Sequence, residues 1–309
     1  MKSYFLRRIA PFFIRVVVFL LGSKNKKKAN ASDFFFIVGS GRNGSTLLSS
    51  VLNNHPSIFV PPEQYVIPFY SARWQLMRFI SEKSFFRKLS HELLLPGKTV
   101  NWELDKEDYR KLNDINNWTS FYEIVNKIFR HYAFKKGKQN VKMLGEKSPL
   151  MIHYWSLFFT EFIGAKYIFL VRDPRDVIFS FSKVSGHKAN DLQYAIWKWK
   201  DALLQFNRII ESDANYLVIR YEDLVTNPQT VFSEIHEFLD LEFDPTRLKI
   251  QKDSNLLGVQ ELEHHKNLSL PINTGSIGKW RGNFSSNELF KIKSELGEMA
   301  AEFGYDLSH

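Results

Sequence analysis

Apolar positions in this chain fall into short continuous runs separated by longer amphipathic stretches. Three runs are rich in aromatic and β-branched residues, a composition typical of strands buried on both faces: FFFIV at 34–38, YIFLV at 167–171 and YLVIR at 216–220. A shorter run at 58–60 predicts one more strand. Helical periodicity is clearest over 47–54, 176–183, 194–210, 231–239 and 285–303.

Strands that alternate with helices indicate parallel βαβ units. We therefore predict an α/β fold with a central parallel sheet. Ser285 precedes the last helix and Glu288 follows three residues later, a capping-box pattern that marks the start of that helix.

The chain divides into a tail, a linker and one large domain. Residues 1–32 form a basic, partly apolar segment with a polar linker, and residues 33–309 form the domain. Within the domain, 69–140 carries long helical patterns with interspersed aromatic residues. We interpret this stretch as a helical insert that covers the site.

The N-terminal apolar run extends from Ile9 to Leu21 and is interrupted by Pro11 and Arg15. A membrane-spanning helix needs about 20 apolar residues, so this run is short for one. Three interpretations stay open: a basic amphipathic segment lying on a membrane, a short uncleaved anchor, and a helix packed on the domain. We predict the first, a peripheral membrane contact through residues 1–28.

Composition limits the kinds of binding site that the chain can form. The 309 residues include no cysteine, which excludes disulfides and thiolate metal sites and favours a reducing compartment. We predict a cytoplasmic location, at the inner face of a membrane if the tail binds one. Net charge is +9, and removing the four lysines of residues 24–28 leaves +5, as expected for an enzyme of anionic nucleotides rather than a nucleic-acid-binding protein.

The loop Gly39–Thr46 follows a predicted strand and opens a predicted helix, the context of a phosphate-binding loop. Its spacing matches a Walker A loop, but Ser45 stands where that loop has its lysine, and Thr46 holds the Ser/Thr position. The loop carries Arg42 instead. A site without the lysine and without a convincing magnesium ligand argues against triphosphate hydrolysis.

A second anion site is indicated by the stretch from Arg172 to Ser180. It begins where a buried strand ends, which is the edge of an open α/β sheet at which ligands bind. Arg172 at the strand end and Ser180 on the next helix could converge on one phosphate. Asp173 has two neighbouring arginines, which suits an anion better than a metal ion.

A third stretch completes a pattern: GSIGKWRGNF at 275–284. In this order, the three stretches resemble those of the 3′-phosphoadenosine 5′-phosphosulfate (PAPS)-dependent sulfotransferase superfamily. Within it, RNGSTL from Arg42, NHP at 54–56 and EQYVIP at 63–68 are most similar to the protein-tyrosine sulfotransferase-like, bacterial and glycan-modifying branch. The resemblance covers residues 33–68 and 141–305 and implies a P-loop-NTPase-like three-layer fold.

The resemblance implies site residues one by one. The 5′-phosphosulfate loop corresponds to Arg42, Asn43, Gly44, Ser45 and Thr46. Arg172 and Ser180 correspond to the 3′-phosphate pair, Tyr221 to a tyrosine beside the nucleotide, and Lys279 to a lysine of the closing loop. Glu63 corresponds to the general base, and Lys147 to a lysine that steadies the transferring group together with Arg42.

Three positions depart from the family pattern. Asn43 stands where related enzymes usually have serine. Tyr65 and Phe69 stand where the tyrosylprotein enzymes have arginines that hold an acidic peptide. These two residues make peptide tyrosine the less favoured acceptor.

The predicted function is transfer of a sulfuryl group from PAPS to a hydroxyl of a carbohydrate, lipid-linked or small-molecule acceptor, with 3′,5′-adenosine bisphosphate as product and no metal requirement. His264 and His265 predict no metal site. One alternative is a P-loop kinase or nucleotide triphosphatase with a displaced lysine, and another is a non-catalytic membrane-associated protein. The oligomeric state stays open.

Overall fold

A computed structural model describes residues 16, 29–64, 70–71, 73–74, 84–85, 87–89, 102, 104–113, 120–149, 151–184, 191–249 and 272–308. The predictions on residues 1–15 and 17–28, on Tyr65 and Phe69, and on His264 and His265 lie outside these residues. The membrane contact of the tail and the boundaries of the helical insert therefore stay predictions. Within the described part of the chain, no helix combines the length and apolar character needed to cross a bilayer.

The described part of the chain contains five strands and nine α-helices of six or more residues. The strands are β1 Phe34–Val38, β2 Ile58–Phe59, β3 Met143–Glu146, β4 Lys166–Val171 and β5 Asn215–Arg220. The helices are α1 Ser45–Leu52, α2 Lys106–Asn113, α3 Phe121–Lys135, α4 Met151–Phe158, α5 Pro174–Ser182, α6 Leu192–Ile210, α7 Tyr221–Thr226, α8 Pro228–Phe238 and α9 Ser286–Ala301. Short 3₁₀ turns follow at Phe159–Glu161 and Pro245–Arg247.

The strands form one sheet in the order β2-β3-β1-β4-β5. β1 and β2 both pair with β3 in parallel, with Phe34 opposite Leu144 and Ile58 opposite Met143. The predicted α/β fold with a central parallel sheet is confirmed. β3 has no counterpart in the sequence-based prediction, because MLGE is only four residues long and contains glycine and a carboxylate.

The predicted burial of one strand is wrong. The run at 216–220 was expected to be a strand buried on both faces, but in β5 only Ile219 is buried. β5 lies at the edge of the sheet, so one of its sides has no neighbouring strand.

The chain forms two compact units, residues 1–36, 55–166 and 253–260 in one, and residues 37–54, 167–252 and 261–309 in the other. In the first unit an aromatic core surrounds Phe162, whose ring lies 5.1 Å from that of Phe34 and 5.2 Å from that of Phe36. In the second unit the rings of Phe169 and Phe206 stack 3.9 Å apart and join β4 to α6.

Capping residues in the sequence explain where two of the helices begin. Ser285 and Glu288 form the predicted capping box at α9. α5 begins at Pro174, two residues before the predicted start, because proline suits the first helical position and Asp173 accepts a hydrogen bond from the Arg175 backbone. The cap of α5 thus directly follows the end of β4, where the second anion site was predicted.

Candidate active site

The loop between β1 and α1 holds an unusual backbone conformation. Arg42 has φ of 55° and Gly44, the N-cap of α1, has φ of 94°. Gly44 has no side chain that could cap the first turn of α1, and the positive end of the helix dipole at this turn attracts anions. Ser45 and Thr46 begin this turn and are partly exposed. The loop therefore has the form of an anion cradle.

The structure brings the first two predicted motifs together within the second unit. Nε of Arg42 donates a hydrogen bond to Oγ of Ser180 at 3.0 Å, and Nη1 of Arg172 donates to the backbone carbonyl of Arg42 at 3.0 Å. Two guanidinium groups and one hydroxyl thus meet at the glycine loop, which is the chemistry that binds phosphate or sulfate.

Tyr221 closes the other side of the loop. A Cβ atom placed on Gly44 would lie 2.4 Å from Cδ2 of the Tyr221 ring, so only glycine fits there. The guanidinium carbon of Arg172 lies 4.4 Å from the centre of the same ring. Arg172, Ser180, Tyr221, Arg42 and Gly44 therefore form one group, which we call the anion cluster.

Arg172 is held in place by a contact that sequence reasoning missed. Its backbone carbonyl accepts a hydrogen bond of 3.0 Å from Nε1 of Trp199, a residue whose helical pattern indicates only packing. The Arg172 side chain is buried, and its Nε has no hydrogen-bond partner among the described residues. A buried guanidinium N–H without an acceptor fits a bound anion.

Asn43 plays a structural part through its side chain. Its Nδ2 donates a hydrogen bond of 2.7 Å to the carbonyl of Leu170 in β4, and the residue is 1% exposed. The side chain thus ties the loop to the sheet, while its buried Oδ1 has no hydrogen-bond partner among the described residues. The nitrogen that a glycan at the Asn43-Gly-Ser45 sequon would need is buried and bonded.

The third motif is attached to the second by a carboxylate that sequence reasoning did not select. Asp176 in α5 accepts hydrogen bonds from the backbone N–H groups of Gly278 at 2.7 Å and Trp280 at 3.0 Å. Burial raises the pKa of Asp176, while Arg172 and these two hydrogen bonds oppose that rise. We call Asp176, Gly278 and Trp280 the loop latch.

Two arginines strengthen the loop latch. Arg172 Nη2 donates to the carbonyl of Ser276, and the Arg175 guanidinium lies 4.1 Å from the ring centre of Trp280. Lys279 lies between the two latched residues and is exposed. The closing loop is therefore docked on α5.

A second cluster lies in the first unit and contains the predicted base and lysine. Nζ of Lys147 lies 3.6 Å from Oε2 of Glu63, and Lys147 is 4% exposed at its side chain against 22% for Glu63. Next to them, Nε2 of Gln64 donates a hydrogen bond of 2.9 Å to Oε1 of Glu146. We call these four residues the carboxylate cluster.

The segment that carries Glu63 is fixed by the insert. Nε1 of the buried Trp102 donates a hydrogen bond of 3.0 Å to the carbonyl of Pro62, and the Trp102 ring stacks on Tyr132 of α3 at 4.8 Å. Neither contact has a local signal in the sequence, because the partners are 30 or more residues apart. The insert therefore has a role in placing Glu63.

The pKa of the Glu146 carboxyl is raised by its surroundings. Burial raises its pKa to about 8, with a further rise from the nearby Glu63 carboxylate and opposing effects from Gln64 and Lys147. The Glu146 carboxyl is therefore largely uncharged at neutral pH.

Comparison with known proteins identifies the family of this chain. The model of the sulfotransferase family matches residues 35–245. Protein-tyrosine sulfotransferase A of Caenorhabditis elegans is 26% identical over 285 residues, which cover 89% of this chain and 68% of that protein.

Two solved structures have the same fold. The sulfotransferase domain of the Synechococcus PCC 7002 olefin synthase has 25% identity and a TM-score of 0.62, covering 92% of this chain and 99% of that one. The sulfotransferase domain from the curacin biosynthetic pathway has 24% identity and a TM-score of 0.61, covering 90% and 99%. The P-loop-like α/β fold predicted from the sequence is thereby confirmed. The chain belongs to the sulfotransferase family, as its three motifs predicted.

Proposed function

We propose that this enzyme transfers the sulfuryl group of PAPS to a hydroxyl acceptor by in-line displacement. The observation that carries the proposal is the anion cluster, in which Arg42, Arg172 and Ser180 meet at a glycine loop that has Ser45 in place of the Walker lysine. Such a cradle neutralises a phosphosulfate with guanidinium and backbone N–H groups and needs no bridging magnesium ion.

The donor is assigned to the second unit by its chemistry. The N-terminus of α1 suits the 5′-phosphosulfate, and Arg172 with Ser180 suits the 3′-phosphate. Tyr221 supplies an aromatic face beside Gly44, and Lys279 on the latched loop supplies a further cation. The unpartnered Nε of Arg172 supports this fit, because a buried donor is costly unless an acceptor arrives.

Catalytic roles fall to Glu63, Lys147 and Arg42. Glu63, as the general base, would accept the acceptor's hydroxyl proton as its oxygen attacks sulfur. Lys147 and Arg42 would stabilise charge on the sulfuryl oxygens and on the leaving phosphate, a contribution of a few kcal/mol for each preorganised cation. The ion pair at 3.6 Å supports this assignment, because it places the carboxylate of Glu63 beside the proposed cation Lys147.

The acceptor class is a hydroxyl of a carbohydrate, lipid-linked or small molecule. Protein tyrosine is the second candidate, because the named relatives are protein-tyrosine sulfotransferases. Tyr65 and Phe69 in place of two arginines weigh against an acidic peptide.

Calorimetric titration with adenosine 3′,5′-bisphosphate in the presence of a chelator tests the donor site. We expect saturable binding without magnesium and no competition from Mg-ATP. Binding of Mg-ATP with no binding of the bisphosphate would instead support the kinase or triphosphatase alternative.

Isotopically labelled PAPS, offered with panels of carbohydrates, lipid-linked sugars, phenols and tyrosine peptides, tests transfer by mass spectrometry. The Glu63→Gln variant should lose about 10²- to 10⁴-fold in turnover while its affinity for the bisphosphate stays unchanged. Glu234→Gln, at an exposed position of α8, is the matched control. A Glu63→Gln variant that keeps full turnover would remove this residue from the role of base.

A further inference from the structure

Two neighbouring dipeptides are joined twice in the carboxylate cluster. Glu63-Gln64 faces Glu146-Lys147, with the ion pair between Glu63 and Lys147 at 3.6 Å and the hydrogen bond between Gln64 and Glu146 at 2.9 Å. The second contact is buried completely, with Gln64 at 0% and Glu146 at 1% exposure. Glu63 remains partly exposed, so the proposed base is accessible to solvent, whereas Gln64 beside it is buried.

We propose that Gln64 and Glu146 form a positioning pair, which holds the segment of the base Glu63 against the strand end that carries Lys147. This inference rests on the proposed function, because it assigns a task to the residues beside the proposed base. Glu146 is the last residue of β3, so the sheet fixes one half of the pair. A buried hydrogen bond on the adjacent residue restricts the backbone at Glu63.

The positioning pair also affects how charge is distributed in the carboxylate cluster. Two ionised carboxylates beside one ammonium group would compete for it, and one of them would be held protonated. Burial raises the pKa of Glu146 to about 8, so near neutral pH this carboxyl is uncharged and Lys147 is left to Glu63. The groups that act on Glu146, in the part of the chain that the structure describes, are Glu63, Lys147 and Gln64.

Ionisation of Glu146 should therefore impair transfer. Above a pH of about 8, a second carboxylate competes with Glu63 for Lys147, and the turnover of the wild-type enzyme should fall. Glu146→Gln keeps a carbonyl oxygen that can accept from Gln64, but it cannot ionise. Gln64→Met removes the hydrogen bond that lowers the pKa of Glu146, so the fall should move to higher pH.

The experiment records kcat and KM for PAPS from about pH 6 to about pH 10 for the wild type, Glu146→Gln and Gln64→Met, with whichever acceptor the panel identifies. We expect Glu146→Gln to lose the alkaline fall in kcat. Gln64→Met should lose about two- to tenfold in kcat with little change in KM, because one buried hydrogen bond is removed. An unchanged alkaline fall in Glu146→Gln overturns the positioning pair.

A second measurement does not depend on turnover. The infrared carbonyl band of a protonated carboxyl should be present in the wild type at neutral pH, vanish above a pH of about 8, and be absent from Glu146→Gln. A band that is identical in both proteins overturns the inference. A wild type that binds the bisphosphate but sulfates no acceptor contradicts the proposed function instead, so the two failures are distinguishable.

Discussion

Arg42 Nε donates a hydrogen bond to Ser180 Oγ at 3.0 Å, although 138 residues separate the two in the chain. This bond joins the glycine loop to α5, and Arg172 adds a second link through the Arg42 carbonyl. These two protein–protein hydrogen bonds fix the residues proposed to bind the two ends of one nucleotide relative to each other. Preorganisation of this kind lowers the ordering cost of binding.

A double-mutant cycle tests that link. Arg42→Met and Ser180→Ala should be non-additive in the free energy of unfolding, with a coupling of about 0.5–3 kcal/mol, because the two side chains share one hydrogen bond. Urea unfolding without ligand measures it. Ser182→Ala, at an exposed hydroxyl on the same helix, is the control and should be additive with Arg42→Met. Additivity in both cycles would mean that the bond contributes nothing.

The loop latch should depend on the second carboxylate oxygen of Asp176. Asp176→Asn replaces one of two acceptors by an NH₂ group that faces a backbone N–H, and a buried unsatisfied donor costs about 1–3 kcal/mol. The amides of Gly278 and Trp280 should then exchange hydrogen roughly ten- to hundredfold faster. Asp223→Asn, at a half-exposed carboxylate of α7, serves as control. Unchanged exchange at both amides would contradict the latch.

Gly44 can be tested against a glycine that shares its backbone conformation. Gly44→Ala adds a Cβ 2.4 Å from the Tyr221 ring, whereas Gly137 has φ of 81° and nothing within 4 Å of its added Cβ. Gly137→Ala should cost only the left-handed backbone strain, about 1 kcal/mol. Gly44→Ala should cost clearly more and weaken bisphosphate binding, as read by urea unfolding and calorimetry. Equal costs for the two variants would show that Tyr221 yields freely.

Glu146 should make stability depend on pH. Its pKa rises from a model-peptide value of 4.5 to about 8 in the native state, so between these values the native chain holds more protons than the unfolded chain. The free energy of unfolding should therefore fall as pH rises through this window and level off above it, by at most about 1.4 kcal/mol per pH unit.

The Glu146→Gln variant isolates that contribution. It cannot titrate, so its stability relative to the wild type should increase with pH between about 5 and about 8. Urea unfolding across this range measures the difference, and Glu237→Gln, at an exposed position of α8, should run parallel to the wild type. If the curves of Glu146→Gln and the wild type run parallel, the Glu146 carboxyl of the wild type has an ordinary pKa.

Local signals in the sequence were sufficient for several elements. The runs at 34–38 and 167–171 are apolar, the loop after β1 has its glycines at phosphate-loop spacing, and Ser285 with Glu288 forms a capping box. Each of these features depends on residues that are close together in the chain, so composition and spacing predict them. The order of three such motifs was enough to identify the family.

Features that depend on distant partners required the tertiary structure. β3 exists because MLGE pairs with β1 and β2, and β5 is half-exposed because of its place in the sheet. The link of Asp176 to the closing loop spans about one hundred residues, and the buried contact of Gln64 with Glu146 spans 82. Such pairs form only when the folded core brings their segments together, and burial then sets the protonation of Glu146.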